Sequence, residues 1–89
     1  MAEKVKRNPR TAWRQYGDQV MVITPDDRRV HQLNETASFL WNAVGEGEVE
    51  APHLCEQLVK HFEVDPGRAK KDVTRFVNKM VGISVFEEA

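Results

Sequence analysis

The chain has 89 residues, of which 40% are hydrophobic and 30% charged, and 13 basic against 14 acidic residues give a net charge of −1. This size indicates one domain with a small core, because such a chain buries roughly 60–65% of its unfolded surface. The balanced charge provides no general attraction to nucleic acid or to an acidic membrane. The single cysteine, Cys55, has no partner for an internal disulfide, so we expect a cytoplasmic protein.

The first residues, "MAEKVKRNPR", are basic and no apolar run follows them. We therefore expect neither a signal peptide nor a membrane anchor. A flexible N-terminal arm is predicted over residues 1–9, followed by a single domain over residues 10–89.

The first part of this domain has the pattern of a small antiparallel sheet. The segment "AWRQY" (12–16) alternates loosely, the dipeptide at 17–18 is a turn signal, and "QVMVIT" (19–24) is a β-branched run too short for a helix. A second turn is predicted at "PDDR" (25–28), where proline is well placed to begin it. "RVHQL" (29–33) then forms a third strand, which completes a meander.

Three helices are predicted after the strands. Asn34 is a suitable cap for the first, because its side-chain oxygen can accept a bond from an amide of the first turn, and "GEGE" (45–48) ends this helix. Pro52 fits the first turn of the second helix, where its missing amide costs little, and "EVDPG" (63–67) breaks that helix.

The third helix is predicted to begin after the cap Asp65, with Pro66 in its first position, and to stop near Gly82. The segment "ISVF" (83–86) is interpreted as either a fourth strand or a packed tail. The order of elements predicts an α+β fold of winged helix-turn-helix type, with a three-stranded antiparallel sheet followed by three helices.

The chain lacks the patterns that catalysis or metal binding requires. His53, Cys55 and His61 are close in the sequence, but on a helix Cys55 lies about 200° and His61 about 80° around the axis from His53. The phosphate-binding and dinucleotide-binding glycine motifs and the nucleophile elbow are absent from the sequence. We therefore expect no enzyme activity, no cofactor and no metal site.

A basic stripe follows one side of the third helix and consists of Arg68, Lys71, Arg75 and Lys79. A solvated charged face is the simplest interpretation of such a stripe. A winged-helix protein could instead insert this helix into the major groove of DNA, although the slightly negative net charge disfavours nucleic acid. The third interpretation is a wall beside a sheet edge that accepts an extended peptide as a further strand.

Three segments resemble the PqqD-like proteins. "VHQLNETASFLWNAVGEGEV" (30–49) resembles a family strand that ends in Leu-Asn and is followed by a small residue, an aliphatic–aromatic pair and a glycine-containing break. "LCEQLVKHFEVD" (54–65) resembles the second helix of the family, and "AKKDVTRFVNKMVGI" (69–83) resembles the third. The resemblance covers residues 9–84, and its sharpest part is Leu33 to Ala37.

The resemblance implies a non-catalytic protein that binds the leader of a ribosomally made precursor peptide and presents it to a modifying enzyme, often a radical SAM enzyme. The leader would add as a strand beside the third strand, in the cleft that faces the third helix. The peptide-binding residues implied by position are Arg28, Arg29, Val30, His31, Gln32, Leu33, Arg68, Asp72, Arg75, Phe76 and Lys79.

Two departures separate this chain from PqqD itself. The segment before the third strand, residues 24–34, lacks the Pro-Glu-Gly type of turn, and "GEGEVE" (45–50) replaces an Asp-Gly followed by Thr. The resemblance therefore supports the family more firmly than pyrroloquinoline quinone biosynthesis. A homodimer that pairs its exposed strand edges is a further interpretation, and no membrane partner is expected.

Overall fold

Two small antiparallel sheets and three helices make up the fold. The computed structural model describes residues 3 to 89. In chain order its elements are β1 (Lys4–Arg7), β2 (Ala12–Tyr16), β3 (Gln19–Ile23), β4 (Val30–Gln32), α1 (Glu35–Val44), β5 (Val49–Glu50), α2 (Ala51–Phe62), α3 (Pro66–Gly82) and β6 (Phe86–Glu88).

The first sheet has the strand order β2-β3-β4, and all its pairs are antiparallel, which confirms the predicted meander. Alternate residues of β3 lie on opposite faces, as the period of a strand requires. Val20 and Val22 are fully buried against the core, whereas Met21 and Ile23 are half-buried on the other face. Gly17 has a φ of 59° in the β2–β3 turn, a conformation that glycine adopts readily.

The predicted helix caps are present in the structure. The Asn34 side-chain oxygen accepts a hydrogen bond from the Ala37 amide at 2.8 Å, and the Asp65 carboxylate accepts one from the Arg68 amide at 3.2 Å. Both bonds satisfy amides that have no partner inside the first helical turn. The helix α3 ends at Gly82, as its sequence indicated.

The second sheet corrects the prediction of a flexible arm over residues 1–9. The strand β1 lies at the centre of the order β5-β1-β6, and its Val5 is fully buried. Both lysines of this strand lie opposite glutamates, Lys4 opposite Glu50 and Lys6 opposite Glu87. Residues 1 and 2 of the expected arm lie outside the described residues. The strand was missed because its partners are distant in the sequence.

A chain of aromatic contacts joins the two sheets to α3. Trp41 of α1 is fully buried, stacks on Phe86 at a centroid distance of 5.8 Å and meets Trp13 edge-on at 5.6 Å. Phe86 in turn packs edge-on against Phe76 of α3 at 5.4 Å. The Arg7 guanidinium lies 4.8 Å and 4.2 Å from the ring centroids of Trp13 and Trp41 and donates to the Trp41 carbonyl at 2.7 Å.

A buried hydroxyl fixes α1 beneath the first sheet. The Ser38 Oγ accepts a hydrogen bond from the Val20 amide at 2.9 Å and donates one to the Leu33 carbonyl at 3.2 Å. The Leu33 amide donates directly to the Val20 carbonyl at 2.9 Å. The hydroxyl therefore stands where the second bond of this strand pair would form, so the end of β4 opens from β3 and the chain can turn into α1.

We expect Ser38→Ala to lower the free energy of unfolding by about 1–3 kcal/mol, because a buried amide and a buried carbonyl both lose their partner. Asn42→Ala, at an exposed position of the same helix, is expected to change that free energy by less than about 0.5 kcal/mol. Urea unfolding followed by far-ultraviolet circular dichroism measures both. Equal stabilities of the two variants would refute the structural role of the hydroxyl.

Candidate functional site

The strand β4 is an open edge of the first sheet. It pairs with β3 on one side, and no other strand of residues 3–89 lies along it. The Thr24 amide donates to the Arg29 carbonyl and the Leu33 amide donates to the Val20 carbonyl, both at 2.9 Å. Backbone groups of an antiparallel strand alternate in direction. His31 therefore directs its amide and carbonyl toward β3, and the backbone groups of Val30 and Gln32 point to solvent.

A first cavity, here called the α1–α3 pocket, lies at the end of this edge. Its volume is about 310 Å³, and it is lined by Asn34, Thr36, Ala37, Leu40, Arg68, Asp72, Arg75 and Phe76. Leu40 is fully buried and Phe76 is 7% exposed, so the floor is apolar. Arg68 and Arg75 supply a cationic rim at exposed positions. The pocket therefore suits a side chain with an apolar stem and a negative end.

A second cavity, here called the turn pocket, lies at the opposite end of β4. Its volume is about 230 Å³, and its lining residues are Thr24, Asp26, Asp27, Arg29, His31, Gly82, Ile83 and Ser84. It lies beside the C-terminal end of α3, whereas the α1–α3 pocket lies nearer the N-terminus of that helix, beside residues 68–76. The helix α3 therefore runs antiparallel to β4, with one pocket near each end of the strand.

Internal contacts already hold the walls of the turn pocket. The Thr24 hydroxyl donates to the Asp27 carboxylate and holds the pKa of that carboxyl below its ordinary value, with a smaller contribution from Arg29. Asp27 and Arg29 also form an exposed ion pair at 3.2 Å. The His31 Nε2 atom is buried and has no hydrogen-bond partner among the described residues. Arg28 takes a φ of 56° in the turn, which is uncommon outside glycine.

Six of the eleven residues that the sequence indicated line one of the two pockets. Arg68, Asp72, Arg75 and Phe76 share the α1–α3 pocket, and Arg29 and His31 share the turn pocket. Lys79 is exposed on α3 and lines neither pocket.

The side of α3 that lines the α1–α3 pocket, here called the α3 wall, contains Arg68, Asp72, Arg75 and Phe76 and forms few ion pairs. Arg68 and Asp72 form an i,i+4 pair at 3.8 Å, in which the Asp72 side chain is 28% exposed. Arg75 has no ion-pair partner within 4.0 Å in the described part of the chain. Its charge is therefore the more available of the two arginines at the pocket.

Leu33 differs from the other residues of the candidate edge. Its side chain is 3% exposed and belongs to the core, and its amide and carbonyl are bonded to Val20 and Ser38. Its role is therefore to anchor the edge.

The α1 side of the α1–α3 pocket was not predicted from the sequence. Thr36, Ala37 and Leu40 line it together with the cap Asn34. Their spacing places the three helical residues on one face of α1, and this shared face is the only sign in the sequence that they could line a pocket together. Which neighbour this face meets depends on how α1 and α3 cross, and no local pattern encodes that.

The histidines and the cysteine of α2 do not form a cluster. The His61 ring stacks on Phe39 at a centroid distance of 4.2 Å, and burial raises the pKa of the Cys55 thiol. Across residues 3–89 no group of three or more histidine, cysteine, aspartate or glutamate side chains is arranged to hold a metal ion. None of the helices described here is both long and apolar enough to span a membrane.

Comparisons with known proteins identify related sequences and folds. The family model for coenzyme PQQ synthesis protein D (PqqD) matches residues 19–84. TbiB1 in complex with the TbiA(beta) leader peptide aligns with a TM-score of 0.85 and 15% identity, over 94% of this chain and 96% of that chain. A lasso peptide synthetase B1 complexed with the leader peptide aligns with a TM-score of 0.78 and 17% identity, over 93% of this chain and 96% of that chain. No curated protein matches significantly. These similarities confirm the predicted fold and the resemblance to PqqD-like proteins.

The hydrogen-bond alternation along β4 predicts a pattern of amide exchange in the free protein. The amides of Val30 and Gln32 should exchange with deuterium at rates close to those of an unstructured peptide, since they point to solvent. The amides of His31 and Leu33 should be protected, since they bond to β3. Hydrogen exchange followed by nuclear magnetic resonance measures all four, and the opposite pattern would show that the deduced alternation is wrong.

Proposed function

Because this chain belongs to the PqqD family, we propose that it binds the leader of a ribosomally made precursor peptide and presents it to a modifying enzyme without catalysing the modification. The observation that carries this proposal is the open edge of β4 between two pockets along α3. Both structurally similar proteins were solved in complex with a leader peptide, which supports a peptide as the ligand.

The proposed mechanism is strand addition at β4. The amides and carbonyls of Val30 and Gln32 offer four backbone hydrogen bonds to an extended peptide. Each such bond contributes roughly 0.5–1.5 kcal/mol net, so the backbone supplies affinity with little dependence on the peptide sequence. Arg28 and Arg29 precede this edge in the turn, and His31 and Leu33 hold it against β3.

Selectivity would come from leader side chains that face α3. Successive residues of a strand alternate between faces, so every second leader side chain would point toward the helix. His31 lies opposite the buried Val22 and therefore marks the inward positions of β4. A leader side chain entering the α1–α3 pocket would contact Phe76 and approach Arg75. We therefore expect an acidic residue in the leader at that position.

The α3 wall completes the proposed site. Arg68, Asp72, Arg75 and Phe76 would line the peptide at the α1–α3 pocket, and Lys79 would extend the positive charge along α3. Asp72 forms an i,i+4 ion pair with Arg68 and so orients the Arg68 guanidinium. The Arg75 guanidinium remains available for the peptide.

The proposal includes the partners of the loaded protein. A radical SAM enzyme is the proposed modifying partner, the cytoplasm is the proposed location, and no cofactor is assigned to this chain. A homodimer that pairs the β4 edges would use the same backbone groups as the leader. Leader binding and such a dimer would therefore exclude each other.

Titration with the leader encoded beside this chain tests the proposal. Saturating leader should slow deuterium exchange at Val30 and Gln32 and shift the resonances of α3 residues around Arg75. If neither segment responds, strand addition at β4 is wrong. Duplex DNA is the second titrant, and tight binding with a steep salt dependence would instead favour a nucleic-acid function.

A charge reversal at Arg75 distinguishes a specific contact in the α1–α3 pocket from general electrostatic attraction to α3. Arg75→Glu should weaken binding of an acidic leader by about 10- to 100-fold, because a charge-assisted contact becomes a repulsion. Lys70→Glu makes the same change of charge on the side of α3 near Cys55 and should alter affinity by less than about threefold at 0.15 M salt. Isothermal titration calorimetry compares them, and equal losses would remove Arg75 from the site.

A further inference from the structure

The outer face of the first sheet is a second surface with no assigned role. Residues directly opposite each other in the sheet share a face, so the pairings of β2, β3 and β4 define this surface. It consists of the residues whose side chains point away from the core, which are Ala12, Arg14, Tyr16, Gln19, Met21, Ile23, Val30 and Gln32. The buried valines of β3 place the helices on the other side of the sheet.

The outer face is more apolar than the solvent side of an antiparallel sheet usually is. Met21 and Ile23 occupy its centre, and Tyr16 and Val30 are 56% and 59% exposed at its margins. It contains no acidic residue, and Arg14 carries its only charge. Tyrosine, methionine and arginine are enriched at protein–protein contacts, and arginine and tyrosine dominate their binding energy.

The size of this face argues against a homodimer as its occupant. A standard interface buries about 800 Å² and about 20–30 residues on each partner. The outer face offers eight positions. It is therefore too small to hold a stable dimer by itself, and a partner that binds here needs a second point of attachment.

The β4 edge supplies that second attachment, because it is continuous with the outer face. A leader added at β4 places its outward side chains beside Val30 and Gln32 and so widens the face by one strand. We propose that the outer face and the outward side chains of the bound leader form one composite surface that docks on the modifying enzyme. This inference rests on the proposed leader binding and commits to an enzyme patch that is apolar, with an acidic group opposite Arg14.

The composite surface makes enzyme binding depend on the leader. An enzyme that contacts both parts binds the loaded protein more tightly than the free protein. By linkage, the enzyme strengthens leader binding by the same factor. Neither the outer face nor the leader alone needs to bind the enzyme strongly. The rest of the precursor is attached to the leader, so its contact with the enzyme active site would add to the other two.

The test compares enzyme affinity of free and leader-loaded protein, using the modifying enzyme encoded beside this chain and biolayer interferometry. The double variant Met21→Thr/Ile23→Thr keeps strand-compatible residues and removes the apolar centre. It should bind leader within about twofold of the original chain and lose at least tenfold in affinity of the loaded form for the enzyme. Arg14→Glu, at an exposed rim position outside the core, should also lose affinity and serves if the double variant unfolds.

Val64→Thr is the matched control, because it removes the same kind of half-buried apolar group in the α2–α3 loop. It should leave both affinities unchanged. Loaded variants that bind the enzyme as the original chain does would overturn the composite surface, even where leader binding is intact. A loaded chain that dimerises in sedimentation, with the double variant monomeric, would also overturn it in favour of a second copy. Failure of the original chain to bind leader would instead refute the proposed function.

Discussion

The hydrogen bonds of Ser38 are the constraint on which the candidate site depends. The hydroxyl accepts a hydrogen bond from the Val20 amide of β3 and donates one to the Leu33 carbonyl at the end of β4. One small side chain therefore ends the strand pair, starts the turn into α1 and holds that helix beneath the sheet. A chain that paired Val20 and Leu33 fully would continue β4 past this point. The edge would then lose the neighbouring pocket that α1 builds with α3.

The aromatic contacts around Trp41 set the other side of the cleft. Trp41 packs on Phe86, Phe86 packs on Phe76, and Phe76 forms part of the pocket floor. The position of the α3 wall is thereby tied to α1, which Ser38 ties to the edge strand. Arg7 adds the second sheet to this arrangement through its contacts with both tryptophans. Buried aromatic packing of this kind tolerates little displacement, so the width of the cleft is set by the core.

Local signals in the sequence were sufficient for most elements and failed for those made by distant pairing. The bounds of β2 and the caps of α1 and α3 follow from short motifs and were predicted correctly. The strand β1 was not, because its stability comes from β5 and β6, which lie far along the chain. The α3 half of the α1–α3 pocket was visible as helical spacing. Its α1 half depends on the crossing of two helices, which no local pattern reports.

The backbone and side-chain directions alternate along β4, so His31 differs in its contacts from its two neighbours, Val30 and Gln32. His31 faces inward and bonds to β3, so it keeps the strand in the sheet. Val30 and Gln32 direct their backbone groups away from β3 and their side chains to the outer face. In the proposed function the backbone groups would bind the leader, and the side chains would form part of the surface that docks on the enzyme. Substitution of their side chains leaves the backbone groups in place. The composition of the outer face can therefore change while the backbone hydrogen-bonding groups of the β4 edge stay the same.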